Sequence, residues 1–296
     1  MEPYLLDGRK PIAELYARYA GLDRWGWVKE GIFEQRIPGV ESPLVAYGLR
    51  TPRAGPALWV ISGIHGEEPA GPNALAENME VFVHLQGMGI PIVLLPLCNP
   101  MGYLYNWRYP NLCRQNAAQE GLSVGSAEHY LPASERPAEP RAAQPPSTEA
   151  RALTASALET ACRYPPLLVL DLHEDEYERF PKAYVYSQGE RGTQDPVAQE
   201  IVALLCAEGF AVPQEGRTRF GEAIIRGVVG PVQDGSLDEL LAAKRVIARE
   251  GETRPGPAAR SVIVVETPAS DTPLAPRVRA HGRILRHLER LWSMVR

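Results

Sequence analysis

Residues 58–71 read LWVISGIHGEEPAG, and the reading of this stretch decides the fold. Its first half is a continuous apolar run rich in β-branched and aromatic residues. That is the pattern of a strand buried on both faces of an α/β sheet. Its second half is a His-Gly-Glu-Glu-Pro turn, with Gly63 and Gly66 on either side of His65 to let the chain turn tightly. In open α/β sheets, chemistry gathers at the carboxyl ends of the strands. His65 and Glu68 sit at such an end, three residues apart, just ahead of a helix expected over 71–86.

Working outward, two later apolar runs also end on polar residues: LLVLDLHED (167–175) with His173, and SVIVVETPAS (261–270) with Glu266. Further strands are expected at 90–98 (IPIVLLPLC) and 182–187 (KAYVYS). Residues 31–50 alternate and turn at Pro38-Gly39, as an antiparallel pair at the sheet edge would. Helical spacing occurs over 10–20, with Ile12, Leu15 and Tyr16 on one face, and over 71–86, with Ala74, Leu75, Met79 and Phe82 inward. Ser147 is placed to cap a helix running to about Tyr164. Asp195 to Glu208 is amphipathic, Ser236 caps another helix, and 275–295 places Val278, Ile284, Leu285, Leu288, Leu291 and Trp292 on one face. Arg279, Arg283, Arg286 and Arg290 of that last helix read as a solvated face. The glycine-rich stretch 216–235 reads as a loop or distorted hairpin. The Ala-, Glu-, Pro- and Ser-rich stretch 117–147 reads as a surface loop or as a wall over the site. Strands alternating with helices predict a three-layer α/β/α sandwich with a mixed, largely parallel central sheet. Site residues lie on both sides of the long loop. The expectation is therefore one catalytic domain over 1–296, with a short N-terminal helix and edge-strand segment at about 1–50.

The composition is that of a globular chain: 296 residues, 45% hydrophobic, 23% charged. A net charge of −5 gives no basic field for nucleic acid. Cys98, Cys113, Cys162 and Cys206 form no CxxC pair, which argues against a cysteine zinc site and fits a reducing compartment. The start lacks a basic region followed by an apolar core, and no apolar run approaches the ~20 residues that cross a bilayer. The expected location is cytoplasmic, with no membrane partner.

A catalytic zinc takes three protein ligands of the His/Glu type and leaves one position open for water. His65, Glu68 and His173 supply that set, two from one turn and the third from a separate strand end. Glu266 is the candidate general base, placed to take a proton from a zinc-bound water and deliver it to a leaving amine. Asp171, two residues before His173, points to the same side of its strand; it either orients the histidine or caps the sheet edge. Arg108 and Arg114 follow the second strand end, in NPMGYLYNWRYPNLCRQN. Arginine suits bidentate carboxylate binding and the stabilisation of an oxyanion.

Together these segments resemble the zinc carboxypeptidase superfamily, which includes the metallocarboxypeptidases, murein peptide amidases and the succinylglutamate desuccinylase/aspartoacylase branch. The pattern appears here as His65-Gly-Glu-Glu68, Asn99-Pro-Met-Gly102 with Trp107-Arg108, Arg114, Asp171-Leu-His173 and Val265-Glu266-Thr267-Pro268, with GSLDELLA at 235–242 before the last strand. The resemblance spans about residues 30–295. It implies one Zn2+ per chain held by His65, Glu68 and His173. It also implies carbonyl polarisation by Arg108, attack by water promoted by Glu266, and a grip on the substrate carboxylate by Arg114. Two departures stand out. Asn111-Leu-Cys113-Arg114 replaces the usual Asp-Leu-Asn-Arg run, so Asn116 is a second candidate for the substrate contact. The stretch 226–234 also lacks the mobile tyrosine of many carboxypeptidases.

The function these residues imply is zinc-dependent amide hydrolysis, as a metallocarboxypeptidase removing a C-terminal residue from a peptide or peptide-like substrate with a free carboxylate. The alternative within the superfamily is an N-acyl-amino-acid deacylase of the desuccinylase/aspartoacylase type. That branch carries a β-rich region after its Glu, where this chain reads as helix. The alternative from another class is a non-catalytic zinc- or peptide-binding module.

Overall fold

The computed structural model describes residues 3–37, 41–110, 123–175, 182–248, 251–269 and 271–296. In chain order its strands are β1 (Val28–Gln35), β2 (Leu44–Arg50), β3 (Ala57–Ser62), β4 (Ile92–Leu95), β5 (Pro166–Asp175), β6 (Tyr184–Ser187), β7 (Glu215–Arg217), β8 (Ala223–Ile225), β9 (Val228–Val229), β10 (Arg245–Ile247), β11 (Thr253–Pro255) and β12 (Ser261–Pro268). The helices are α1 (Ile12–Ala20), α2 (Ala70–Glu77), α3 (Met79–Gly87), α4 (Pro100–Tyr105), α5 (Thr148–Arg163), α6 (Pro196–Ala207), α7 (Leu237–Ala242), α8 (Leu274–Arg286) and α9 (Leu288–Ser293).

One ten-stranded mixed sheet runs β1-β2-β4-β3-β5-β12-β6-β9-β8-β7, and β10-β11 form a separate hairpin. Its centre, β4-β3-β5-β12, is parallel. From β3 the chain moves outward to β4 and then returns to place β5 on the other side of β3. The strand order therefore reverses between β3 and β5, and a crevice opens at their carboxyl ends. Every residue of β3 and β4 is buried, as expected for strands covered on both faces.

Alternation along β5 and β12 divides the core into two layers. Leu168, Leu170, Leu172, Ile263 and Val265 pack with α1, α2, α3, α6, α8 and α9 on one face. Val169 and Val262 pack with α5 and α7 on the other. Trp59 is fully buried in that second layer, its Nε1 donating to the Tyr164 carbonyl at 2.9 Å. Truncating such a side chain to alanine costs about 3–5 kcal/mol.

The expected three-layer sandwich is present, with differences in detail. The helix expected over 71–86 is two, α2 and α3, broken at Asn78 (φ −126°, ψ 31°). The Asn78 amide donates back to the Ala74 carbonyl at 2.7 Å, and Arg286 of α8 donates to its Oδ1 at 2.9 Å. The terminal helix is likewise two, divided at His287. In α3 the inward residues are Phe82 and Leu85, and Met79 is only half-buried. Residues 100–105 form a short helix capped by the Asn99 side chain, which accepts from the Gly102 amide at 3.0 Å. The stretch 216–235, expected as a loop or distorted hairpin, contains the short strands β8 and β9 and most of β7, whose antiparallel pairs β7-β8 and β8-β9 extend the sheet. Ser147 and Ser236 cap α5 and α7, accepting from Ala150 N at 3.0 Å and Glu239 N at 3.1 Å. Residues 123–147 carry almost no regular structure, yet Val124, Ala127 and Leu131 are buried in the α5/α7 layer. They form a wall of the protein packed into its interior. The turn at Pro38-Gly39 lies outside the described residues.

Candidate metal centre

The turn after β3 can place His65 and Glu68 together because its backbone presses against α4. A methyl group on Gly66 would collide with the backbone of Gly102 and Tyr103. Gly63 adopts φ 65°, a conformation that favours glycine. The Gly66 amide and the Asn99 side chain both donate to the Arg108 carbonyl, at 3.4 and 3.1 Å. The buried Arg9 guanidinium donates to the carbonyls of Gly66 (3.1 Å) and Tyr103 (2.5 Å) and to Asn106 Oδ1 (2.7 Å), and pairs with Asp7 at 2.6 Å. The N-terminal segment thus fastens the ligand turn to the helix that leads to Arg108.

Alternation decides which face the later residues take. In β5, Asp171 and His173 share the side of Val169, and in β12 Glu266 shares the side of Val262 and Val264. Glu266 and His173 are direct neighbours across the parallel ladder. All of these residues except Val169 and Val262 line, with His65 and Arg108, a cavity of ≈ 550 Å3. Glu174 points to the opposite face. There it pairs with Arg277 of α8 and accepts from the Ala70 amide at 2.8 Å.

At the centre lies the Glu68 carboxylate. Its Oε1 is 2.8 Å from His65 Nδ1 and 3.0 Å from the Arg108 guanidinium; its Oε2 is 2.8 Å from His173 Nδ1 and 3.2 Å from the Glu174 amide. Arg108 also bonds Glu67 at 3.0 Å. On the far side of the ring, His173 Nε2 is 3.2 Å from Asp171 Oδ2. Because β5 is a central strand, Asp171 stands behind the histidine rather than at a sheet edge.

Burial works against the charge on Glu68, but His65 and His173 hold its carboxyl well below the usual range. Burial, joined by Arg108, lowers His65. Burial acts the same way on His173, but Asp171 and Glu68 outweigh it and raise the imidazole. Glu266 is pushed up by burial above all, and its Oε2 has no hydrogen-bond partner among the described residues.

His65, Glu68 and His173 offer ligand atoms that all lie within 4.8 Å of one another. Two imidazole nitrogens and one carboxylate oxygen, buried at the head of a cavity, match the donor set of an open zinc site. Asp171, His173 and Asp238 form a second such group that shares His173. The structure thus brings together His65, Glu68, His173, Arg108 and Glu266; Arg114 and Asn116 lie outside the described residues. Reasoning from sequence missed Glu67 as a partner of Arg108 and Asp238 behind Asp171. It also missed Tyr186 and Glu222 in the cavity lining. Alternation in KAYVYS, which puts Tyr184 and Tyr186 on one face, was a usable signal for Tyr186.

No protein-family model matches the chain, and no curated protein sequence does. Solved structures do. The chain is similar to a putative metallopeptidase from Shewanella baltica OS155, at 23% identity and TM-score 0.68, over 95% of this chain and 92% of that one. A Pseudomonas aeruginosa metallo-carboxypeptidase in complex with (2-guanidinoethylmercapto)succinic acid matches at 18% identity and TM-score 0.57, over 96% and 69%. Carboxypeptidase A from Helicoverpa armigera matches at 11% identity and TM-score 0.60, over 98% and 74%. The chain therefore has the metallo-carboxypeptidase fold. Among the described residues no helix is long and apolar enough to cross a membrane.

Proposed function

We propose that this protein is a zinc-dependent amide hydrolase that acts as a carboxypeptidase, removing a C-terminal residue from a peptide or peptide-like substrate. The observation that carries this reading is the orphaned Glu266 carboxylate. It is half-buried with its Oε2 shut off from solvent, stands beside His173 in the ladder, and opens onto the cavity that also holds His65 and Arg108. A carboxylate held this way is costly to the fold and suited to general-base work at neutral pH.

In this reading His65, Glu68 and His173 hold one zinc ion per chain. When bound, zinc supplies Lewis acidity toward a carbonyl oxygen and acidifies water. Glu266 takes the proton from the attacking water and passes it to the leaving amine. Arg108, steadied by Glu67, donates to the carbonyl oxygen as negative charge develops there. Asp171, its Oδ2 3.2 Å from His173 Nε2, holds the ring electrostatically so that Nδ1 is turned toward Glu68. The compound in complex with the Pseudomonas enzyme is a succinic acid bearing a guanidino arm; by analogy the substrate here presents a free carboxylate, with Arg114 and Asn116 the candidates to receive it. The cysteines Cys98, Cys162 and Cys206 are free, which supports a cytoplasmic site of action.

The test is an activity screen on the zinc-loaded protein, comparing peptides with free and amidated C-termini, γ-glutamyl-diaminopimelate peptides and N-acyl amino acids. Hydrolysis of free-carboxylate peptides, lost on amidation, is the expected result. Activity confined to N-acyl amino acids would replace the reading with a deacylase. Zinc binding without hydrolysis of any of them would leave a binding module.

A further inference from the structure

One buried charge near the metal centre takes no part in the reaction scheme. The Arg9 side chain is fully buried, and its acidic partner among the described residues is Asp7, two positions earlier in the chain. A guanidinium buried against one carboxylate is a costly way to fasten a loop, because packed apolar side chains of similar volume often hold as well or better. Its contacts indicate what the charge is used for. Nε and Nη2 are engaged by the Asp7 carboxylate at 3.0 and 2.6 Å. Nη1 donates to the Gly66 and Tyr103 carbonyls, and Nη2 donates also to Asn106 Oδ1. The Cζ lies 5.0 Å from the ring centroid of Tyr4 and 4.9 Å from that of Tyr103, close enough for both rings to attract the cation.

These acceptors belong to the two segments that carry the chemistry. Gly66 follows His65 directly. Arg9 holds its carbonyl and the Arg108 carbonyl holds its amide, so the peptide groups on both sides of Gly66 are tied. Tyr103 lies in the last turn of α4, and Asn106 ends that helix in the left-handed conformation (φ 59°), turning the chain toward Arg108. A planar fork can serve several acceptors in different directions at once, whereas an ammonium is a point charge. The segment that carries Arg9 is anchored separately. The Lys10 amide donates to Asn73 Oδ1 of α2 at 2.9 Å, and the Tyr103 hydroxyl donates to the Lys10 carbonyl at 2.8 Å.

We propose that Arg9 is a positioning residue for the metal centre. By gripping the Gly66 and Tyr103 carbonyls and the Asn106 side chain together, its guanidinium sets the His65–Glu68 turn in register with Arg108. This role rests on the reading of His65, Glu68 and His173 as metal ligands and of Arg108 as the donor to the carbonyl oxygen. The fold keeps a buried cation here because the two segments, distant in sequence, have to hold one alignment.

The experiment compares the parent with Arg9→Lys, which keeps the charge and loses the fork, and with Tyr103→Phe. The latter loosens the anchoring of the same segment and leaves every acceptor of Arg9 in place. Zinc affinity of the folded proteins is read by competition with a chromophoric chelator. Exchange of the Gly66 amide is read by NMR in the metal-free proteins. Arg9→Lys is expected to weaken zinc binding about tenfold or more, the loss usual when a group that holds metal ligands is removed, and to speed Gly66 exchange. Tyr103→Phe is expected to lower the urea midpoint and leave both readings as in the parent. At saturating zinc, kcat of Arg9→Lys should fall while KM changes little, because Arg108 acts on charge that develops only in the transition state. Arg9→Met, which removes charge and fork together, gives the same comparison if Arg9→Lys does not fold. Parent-like zinc affinity and exchange in the Arg9 variant would overturn the positioning role and leave the hydrolase standing. Equal weakening by Tyr103→Phe would also overturn it, because docking of the whole segment would then set the site. If the parent binds no zinc or cleaves no peptide, the hydrolase reading falls and Gly66 exchange decides the role of Arg9: faster exchange in the Arg9 variant alone supports it, and unchanged exchange overturns it.

Discussion

Two glutamates at the ends of neighbouring strands, on opposite faces of the sheet, have opposite surroundings: Glu174 is buried and Glu266 half-buried. Glu174 ends β5 toward the α2/α8 layer, where Arg277 and the Ala70 amide bind it. Glu266 ends β12 toward the cavity, where its Oε2 has no partner among the described residues. Burial lifts Glu174 only to about 7, because Arg277 and the amide pull it back. Burial pushes Glu266 well above the carboxylate range. The carboxylate that serves the fold arrives with its donors, whereas the one proposed above as the base has an oxygen without any.

The sharpest way to break this contrast is Glu266→Gln. If the carboxylate is the base, kcat/KM falls roughly 10²–10⁴-fold. Metal content should stay the same, and the urea midpoint should hold or rise because an unsatisfied acid is gone. Full hydrolysis by this variant would remove the distinction between the two faces. On the other side, Arg277→Met leaves Glu174 buried without its cation and should cost about 3–5 kcal/mol of stability, seen as a lower urea midpoint. The double variant Arg277→Met/Glu174→Gln should recover most of that loss. Activity per folded molecule should change little in either, and a large drop would show that the structural face also serves the reaction.

Metal addition separates the faces by a smaller amount. Zinc at a hundred times its Kd should stabilise the parent by about 2.7 kcal/mol. His65→Ala and His173→Ala should lose most of that gain, whereas Arg277→Met/Glu174→Gln should keep it. Thermal unfolding with and without a chelator reads this directly. The smallest effect expected belongs to the wall. His129 sits against Thr154 at 3.3 Å, and burial with Arg151 nearby lowers its pKa to about 4. The unfolded chain therefore takes up a proton between pH 6.5 and 4 that the folded chain refuses. Stability is complete above pH 6.5 and declines as pH falls through that window. His129→Gln should flatten the decline, and NMR titration of the imidazole checks the value.

The sandwich was legible in the sequence because each central strand is a continuous apolar run, a signal that needs no partner to be read. The clustering of His65, Glu68 and His173 was legible for a related reason: they stand at or just beyond the ends of such runs, where only chemistry or a fixed partner justifies a polar residue. The breaks at Asn78 and His287 were not visible, because the helical periodicity runs through both. At Asn78 the side chain also accepts from Arg286 across 208 residues of chain, a contact that no local window contains. Glycines at 216, 221, 227 and 230 left β7 to β9 readable only as a loop or a distorted hairpin, for a different reason. The strands are two or three residues long and derive their pairing from the sheet edge beside them. The roles of Arg277 and Asp238 depend on which acids fold brings near them, and so were equally invisible.

The contact between Gly66 and Gly102 has a consequence for how this protein could change. No side chain separates the ligand turn from the start of the segment that delivers Arg108, and Arg9 straddles the two. Neither can shift against the other without a steric collision. The two segments therefore behave as an inheritable cassette: a graft of the His65–Glu68 turn into another scaffold would carry its geometry only if residues 99–108 and the Arg9 strap travelled with it.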